Sequence, residues 1–349
     1  MISTEERELI EKELARIERA AIGFFPTPLH KLEHLSKELK VNLYIKRDDL
    51  TGRCVFGGNK IRKLEFLLGE ALKQKATHII TYGAVQSNHA MQTAVAGRMY
   101  GFNPVLFLTE YVKPDGLRGN LLLDHLFDAD IKIYRPEPNE NPETIKAQTE
   151  LMAAEFIKEV EENGGHCYEI PGGGATAVGS IGFVNGYLEL NKQQREQGLR
   201  FDYIATATGS GGTLAGLAAG RKLLEDDLQI ISFTVGPKGA AYPQNVADLA
   251  AETLHLLGSA KKVTPDELKI DFDFAGEGYE IPTKQASAIL KRMATREGIL
   301  LDPVYTAKAM SGVIDYIERG SIPPGSNVCF WHTGGAGALF AEAEMVGLA

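Results

Sequence analysis

The chain has 349 residues, 44% hydrophobic and 24% charged, with Lys+Arg 37 against Asp+Glu 46 for a net charge of −9. That length suits two domains or one large α/β domain, and the excess of acid argues against phosphate-backbone binding, so no nucleic-acid partner is expected. The three cysteines, Cys54, Cys167 and Cys329, form no C-x-x-C pair and exclude a disulfide framework. Residues 1–20 lack the apolar stretch of a targeting signal, and no run reaches the ~20 apolar residues of a membrane span, so a cytoplasmic protein with no membrane partner is expected.

Short apolar strands are predicted over 43–46, 78–82, 105–109, 131–134, 167–170, 203–207, 230–235 and 328–331. Helical spacing falls between them, over 61–72, 90–100, 142–161, 180–191 and 214–224. Alternation of this kind predicts an α/β fold with a parallel sheet covered on both faces. Residues 135–142 and 262–282, rich in Pro, Gly and acids, read as surface excursions.

Gly-rich turns in such folds gather at the carboxyl ends of strands, where ligands bind. The first here, Gly57-Gly58-Asn59-Lys60, opens a helix with apolar Ile61, Leu64, Leu67 and Leu68 on one face. Asn59 reads as its N-cap and Lys60 as its first helical residue. The positive end of the dipole and burial would both lower the lysine's pKa, yielding the neutral amine that condenses with an aldehyde. A solvated lysine beside Arg62 and Lys63 is the plainer alternative.

The second turn, Gln86-Ser87-Asn88-His89, enters a helix after the 78–82 strand. It can cap that helix, or present N–H groups and side chains to a carboxylate. His89 alone reads as a structural histidine, and the eight histidines show no metal-ligand spacing, so no metal is expected. The third turn, Thr208-Gly209-Ser210-Gly211-Gly212-Thr213, has the form of a phosphate cradle. Leu214 breaks the dinucleotide spacing G-x-G-x-x-G, and Thr213 stands where a P-loop carries lysine. That leaves phosphorylated cofactors such as pyridoxal phosphate. The fourth turn, His332-Thr333-Gly334-Gly335, offers a hydroxyl that can cap the last helix or face a ring nitrogen. Two further segments, 300–306 and 276–279, carry Tyr305 and Tyr279, side chains that also suit amphipathic packing. Cys54 and Cys329 lie near these runs and read as packing residues.

Together with Leu301-Asp302-Pro303-Val304-Tyr305-Thr306, these runs resemble the family of D-cysteine desulfhydrase and 1-aminocyclopropane-1-carboxylate deaminase, in order and spacing from about residue 27 to 340. The resemblance implies the tryptophan-synthase-β-like fold (type II), with two open twisted, mostly parallel sheets flanked by helices. It implies a large domain of residues 1–61 and 173–349, a small domain of 62–172, and a homodimer. Pyridoxal 5′-phosphate is the implied cofactor, bonded to Lys60, with Thr208, Gly209, Ser210, Gly211, Gly212, Thr213 and Lys63 at its phosphate, Asn88 at its 3′-oxygen and Thr333 at its ring nitrogen. Ser87, Asn88 and His89 would take the substrate carboxylate, with Tyr279 and Tyr305 flanking the substrate. The implied catalytic residues are Lys60, Ser87, Tyr279 and Tyr305, with Lys60 or a tyrosine taking the α-proton.

Two positions bear on which family reaction is expected. The ring-opening deaminase carries Glu where Thr306 stands and Leu where Thr333 stands. A hydroxyl at the ring nitrogen makes a weaker electron sink than a firmly protonated ring, favouring loss of a good β-leaving group. The expected reaction is therefore D-cysteine to pyruvate, sulfide and ammonia. Ring-opening deamination, or elimination from another β-substituted amino acid such as L-cysteate, is the alternative. Met91 and Ala175 depart from the desulfhydrase pattern, which commonly has Arg and Ser there, and both bear on substrate choice. A silent binding protein would lack the lysine, and a nicotinamide oxidoreductase fails on loop spacing.

Overall fold

The computed structural model describes residues 2, 4–53, 56–114 and 116–341; Cys54 lies outside them. Among the described residues the strands are β1 (Leu29–Lys31), β2 (Asn42–Arg47), β3 (His78–Ala84), β4 (Asn103–Thr109), β5 (Asp130–Tyr134), β6 (Cys167–Ile170), β7 (Tyr203–Thr208), β8 (Gln229–Thr234), β9 (Lys269–Asp271) and β10 (Asn327–His332). The helices are α1 (Thr4–Arg16), α2 (Glu33–Leu39), α3 (Asn59–Lys73), α4 (Asn88–Met99), α5 (Gly119–Leu126), α6 (Pro142–Glu162), α7 (Ala177–Glu196), α8 (Gly212–Leu224), α9 (Tyr242–Leu256), α10 (Lys284–Glu297), α11 (Thr306–Glu318) and α12 (Ala336–Leu339).

Two sheets result. Six strands run in the order β1-β2-β10-β7-β8-β9, and four in the order β5-β4-β3-β6. Every pairing is parallel except β1 with β2. The inner strands β10, β7 and β8 are buried along nearly their whole length, as a sheet covered on both faces requires. On one face Ile204 and Trp331 pack against Phe183, Tyr187, Leu214 and Leu217 of α7 and α8. On the other, Ile45, Phe233 and Phe330 meet Met293, Met310 and Val313 of α10 and α11. In the smaller sheet, Leu106 and Leu108 face α4 through Ala90 and Ala94, while Val105 and Phe107 face Ala153 of α6.

Strand-to-helix alternation thus carries through, with β1 and β9 as unforeseen three-residue edge strands. The second lies inside the 262–282 segment read as irregular.

Two glycines set how closely the helices approach. A methyl on Gly182 of α7 would fall 2.1 Å from the Arg62 carbonyl oxygen of α3, and one on Gly216 of α8 would fall 2.2 Å from the Ser180 carbonyl oxygen of α7. The pair lets α3, α7 and α8 stack nearly backbone to backbone. This holds the first turn of α3 beside the first turn of α8.

A buried charge cluster fixes α3 from behind. Arg62 donates to both Asp48 oxygens at 2.7 and 2.8 Å and to Glu189 at 3.0 Å, with its guanidinium 4.4 Å from the Phe25 ring centroid. Trp331 donates to Asp48 at 2.7 Å, and Lys46 donates to Glu189 and to the Thr27 carbonyl. Every charge here is paired and hydrogen-bonded, the condition for burying ions at tolerable cost.

Candidate active site

The carboxyl ends of β3, β7 and β10 converge with the N-terminal turn of α3. Helix α3 begins at Asn59, not at Lys60, and its cap is Gly58, which has no side chain to bond. Asn59 is therefore not the N-cap expected from sequence. The backbone explains the difference: Asn59 N donates to the Thr333 carbonyl, and Gly58 pairs with Gly334 as an antiparallel bridge. The fourth turn thus takes up an N–H that a capping side chain would otherwise serve. Freed from capping, the Asn59 amide donates to Thr213 Oγ1 at 3.0 Å and accepts from Lys60 Nζ at 3.0 Å. Asn59 was missed as a site residue because a capping role accounted for it.

Lys60 Nζ lies 6.0 Å from the Tyr305 ring centroid. Burial lowers its pKa to about 8, and Asp302 pulls weakly the other way. Asp302 is itself fully engaged, accepting from the N–H groups of Val304, Tyr305 and Thr306 and from Thr306 Oγ1. Tyr305 and Tyr279 meet through their hydroxyls. The site thus brings together a half-buried amine and two phenols.

Opposite them lies the glycine loop. Gly209 approaches Tyr305, a methyl there falling 3.6 Å from Cε1. A methyl on Gly212 would fall 2.9 Å from Lys63 Nζ and 3.0 Å from Ala175 Cα. Lys63 is buried, donates to the Gly173 carbonyl at 3.0 Å, and is pushed well down by burial and by Lys60. Thr208 Oγ1 bonds Tyr242 Oη at 2.7 Å, and Tyr242 Oη donates to the Gly209 carbonyl at 3.1 Å. Tyr242 carried no motif, so nothing in the sequence marked it. The loop suits a phosphate ester. The first N–H groups of α8 have no intrahelical partner, Lys63 supplies a further nitrogen donor, and the missing methyl of Gly212 leaves room beside it.

On the β3 side, Ser87 caps α4 by accepting from Ala90 N at 3.2 Å, so the helix starts at Asn88, two residues before the expected 90. The N–H groups of Asn88 and His89 precede the first intrahelical bond. His89 is buried, bonds Thr81 Oγ1 at 2.8 Å through Nε2, and is held well below the usual imidazole range by burial and the two lysines. Asn88 Oδ1 accepts from Asn120 Nδ2 at 2.8 Å, and Asn120 also donates to the Gln86 carbonyl. Met91 is buried one turn into α4. Ala175 lies against Gly212, so that departure from the family pattern falls beside the glycine loop. Cys329 is buried and its thiol is pushed up to about 12, which suits packing. Among the described residues no group of three or more His, Cys, Asp or Glu is placed to hold a metal, and no helix is long and apolar enough to cross a membrane.

A half-buried lysine at a helix start, a glycine-rich loop beside a second lysine, and a mostly parallel fold built on two sheets suit a pyridoxal-phosphate enzyme. The chain belongs to the pyridoxal-phosphate dependent enzyme family, which it matches over residues 21–334. It is 40% identical over 340 residues to a putative 1-aminocyclopropane-1-carboxylate deaminase of Pyrococcus furiosus, covering 97% of this chain and 98% of that one. It is 37% identical over 343 residues to D-cysteine desulfhydrase of Yersinia pestis, covering 97% and 99%. The solved structure of an ACC deaminase homologue superposes with a TM-score of 0.86 at 36% identity, over 97% of this chain and 99% of that one. The fold is thus the type II fold expected, and the cofactor is pyridoxal phosphate.

Proposed function

We propose that the protein eliminates sulfide from D-cysteine, taking the amino acid and water to pyruvate, hydrogen sulfide and ammonia. One observation carries the choice. Thr306, where ring-opening relatives carry a carboxylate, is fully buried and spends its hydroxyl on Asp302, so position 306 offers the substrate no acid. The groups left near the reacting carbon are the Lys60 amine and the Tyr279–Tyr305 phenols.

When bound, pyridoxal phosphate would draw electrons from the α-carbon of the amino acid, which weakens the bond from the α-carbon to hydrogen and lets the β-carbon release its substituent. The chain's residues do the rest. Lys63, Thr208 and the 209–213 loop hold the phosphate, Asn88 the 3′-oxygen, and Thr333 faces the ring nitrogen. Ser87 and the N–H groups of Asn88 and His89 hold the substrate carboxylate at the α4 N-terminus. Lys60, with a pKa of about 8, is partly neutral near neutral pH and takes the α-proton from one face. The phenol pair delivers a proton to the departing sulfur. The two sheets draw their strands from 62–172 on one side and from 1–61 and 173–349 on the other, which supports that division into domains. A homodimer in the cytoplasm is part of the same reading.

The second reading, ring-opening deamination, rests on relatives of that name, including the one at 40% identity. Keto-acid assay separates the two. Pyruvate and sulfide from D-cysteine far above 2-oxobutyrate from 1-aminocyclopropane-1-carboxylate supports the first; the reverse order replaces it with the second.

A further inference from the structure

Lys308, in the first turns of α11, is fully buried, yet among the described residues no carboxylate is hydrogen-bonded to its ammonium. Its Nζ sits instead among four main-chain carbonyl oxygens. These are Val235 at 3.2 Å, Ala275 at 2.7 Å, Gly278 at 2.8 Å and Tyr279 at 3.4 Å. Val235 lies just past β8, whereas the other three belong to the excursion that returns from β9 to α10. Four acceptors around one nitrogen suit an ammonium, whose three hydrogens all point outward, better than a neutral amine, whose lone pair would face an oxygen.

The same excursion is seated by a close approach. A methyl on Gly236 would fall 3.2 Å from both Cα and Cβ of Tyr279, so the Tyr279 backbone lies flat on the strand end. Residues 275–282 are turns and irregular backbone, with no strand among them. Lys308 therefore supplies the cross-link that a strand ladder supplies elsewhere.

We infer that Lys308 is the positioning residue for Tyr279: by gathering the carbonyls of Val235, Ala275, Gly278 and Tyr279 it holds that phenol against Tyr305 beside Lys60. It touches neither substrate nor cofactor, and acts only through the segment it binds. The inference rests on the proposed role of Tyr279 for its catalytic consequence, but its structural half stands alone.

The test begins with a readout that needs no substrate. Chymotrypsin cleavage after Tyr279 in the holoenzyme reports opening of the segment. K308M, which keeps the chain length and loses the donors, is expected to be cut there at least about tenfold faster than wild type, with cleavage elsewhere changed less. Equal cleavage after Tyr279 would overturn the inference whatever the substrate proves to be. Where K308M does not fold, K308A is compared in ammonium chloride and tetramethylammonium chloride. Ammonium can donate to the vacated carbonyls and the quaternary ion cannot, so folding or protection recovered only in ammonium supports the assignment, and identical behaviour in the two salts refutes it.

Kinetics supply the second arm. K308M is expected to lose about ten- to a hundredfold in kcat with KM little changed, because a displaced phenol misaligns proton transfer. In the Y279F background the same substitution should cost almost nothing further. Full additivity would mean that Lys308 does not act through Tyr279.

Discussion

Tyr279 and Tyr305 meet hydroxyl to hydroxyl across ring planes at 81°, their centroids 5.6 Å apart. In such a pair one phenol donates and the other keeps its proton for a third partner. Burial, with Tyr305 alongside, pushes Tyr279 well above the ordinary phenol range, so at neutral pH it remains a proton donor. Y305F and Y279F are each expected to lower kcat by about 10²–10⁴-fold, the usual worth of a placed acid or base. Retention of cofactor absorbance in both variants checks that the lesion is in proton transfer. A Y279F enzyme with wild-type kcat would remove the phenol pair from the reaction.

Lys60 governs how the protein takes up its cofactor. Only the unprotonated amine attacks an aldehyde. With the amine's pKa lowered to about 8, the rate of pyridoxal phosphate uptake by cofactor-free protein should climb with pH and level off above about 8. Stopped-flow absorbance measures this directly. A midpoint at 10.5, the value of a solvated lysine, would mean that the amine is not desolvated in solution. K60A should take up no covalently bound cofactor at any pH.

Glu189 makes the fold sensitive to acid. Arg62 and Lys46 outweigh the opposing effect of burial and hold its pKa at about 2, below its ordinary 4.5. Its folded-state pKa is depressed, so the stability it contributes is present above pH 4.5 and is lost as pH falls toward 2. The whole effect is on the order of 3 kcal/mol, and E189Q should flatten the pH dependence of urea unfolding across that window. An unchanged slope in E189Q would assign the acid sensitivity to other carboxylates.

Thr306 is a structural hydroxyl first. Its Oγ1 donates to Asp302 Oδ1 at 2.6 Å in a fully buried setting, so T306V should cost about 1–3 kcal/mol by thermal or urea unfolding. T306E brings a carboxylate against Asp302 and should destabilise further without creating ring-opening activity by itself. Appreciable 2-oxobutyrate formation by T306E alone would show that one residue switches the reaction.

Gly212 limits the phosphate site. A methyl there presses on Lys63 Nζ at 2.9 Å and on the Ala175 backbone at 3.0 Å. G212A should bind pyridoxal phosphate at least about tenfold more weakly, about 1.4 kcal/mol, with a smaller loss of overall stability. Spectrophotometric titration reads the affinity, and unaltered binding would move the phosphate elsewhere.

Much of this architecture was legible because its signals are local. Alternation of apolar runs located eight of the ten strands, and glycine turns located the loops around the site. What escaped depends on distant partners. Asn59 looked like a cap because the carbonyl that receives its N–H belongs to Thr333, at the far end of the chain. Asn120 and Tyr242 lie in ordinary amphipathic helices, and only the fold turns them toward Asn88 and Thr208. Lys308 gave no warning either, since a lysine in a helix is usually solvated and its four acceptors are main-chain atoms. The edge strands β1 and β9 are three residues each, too short for any period to register.

The cluster behind α3 sets a limit on how this chain can change in length. At about 100° per residue, Lys60 and Lys63 lie within about 60° of each other on the helix, while Arg62 is turned about 160° from Lys60, into Asp48 and Glu189. Three basic residues within four positions thus face two destinations, one chemical and one structural. Losing or gaining a single residue between 59 and 63 would swing the guanidinium toward the glycine cradle or leave the buried Asp48 carboxylate without its cation. Insertions are for the surface excursions; this turn of helix tolerates only substitution.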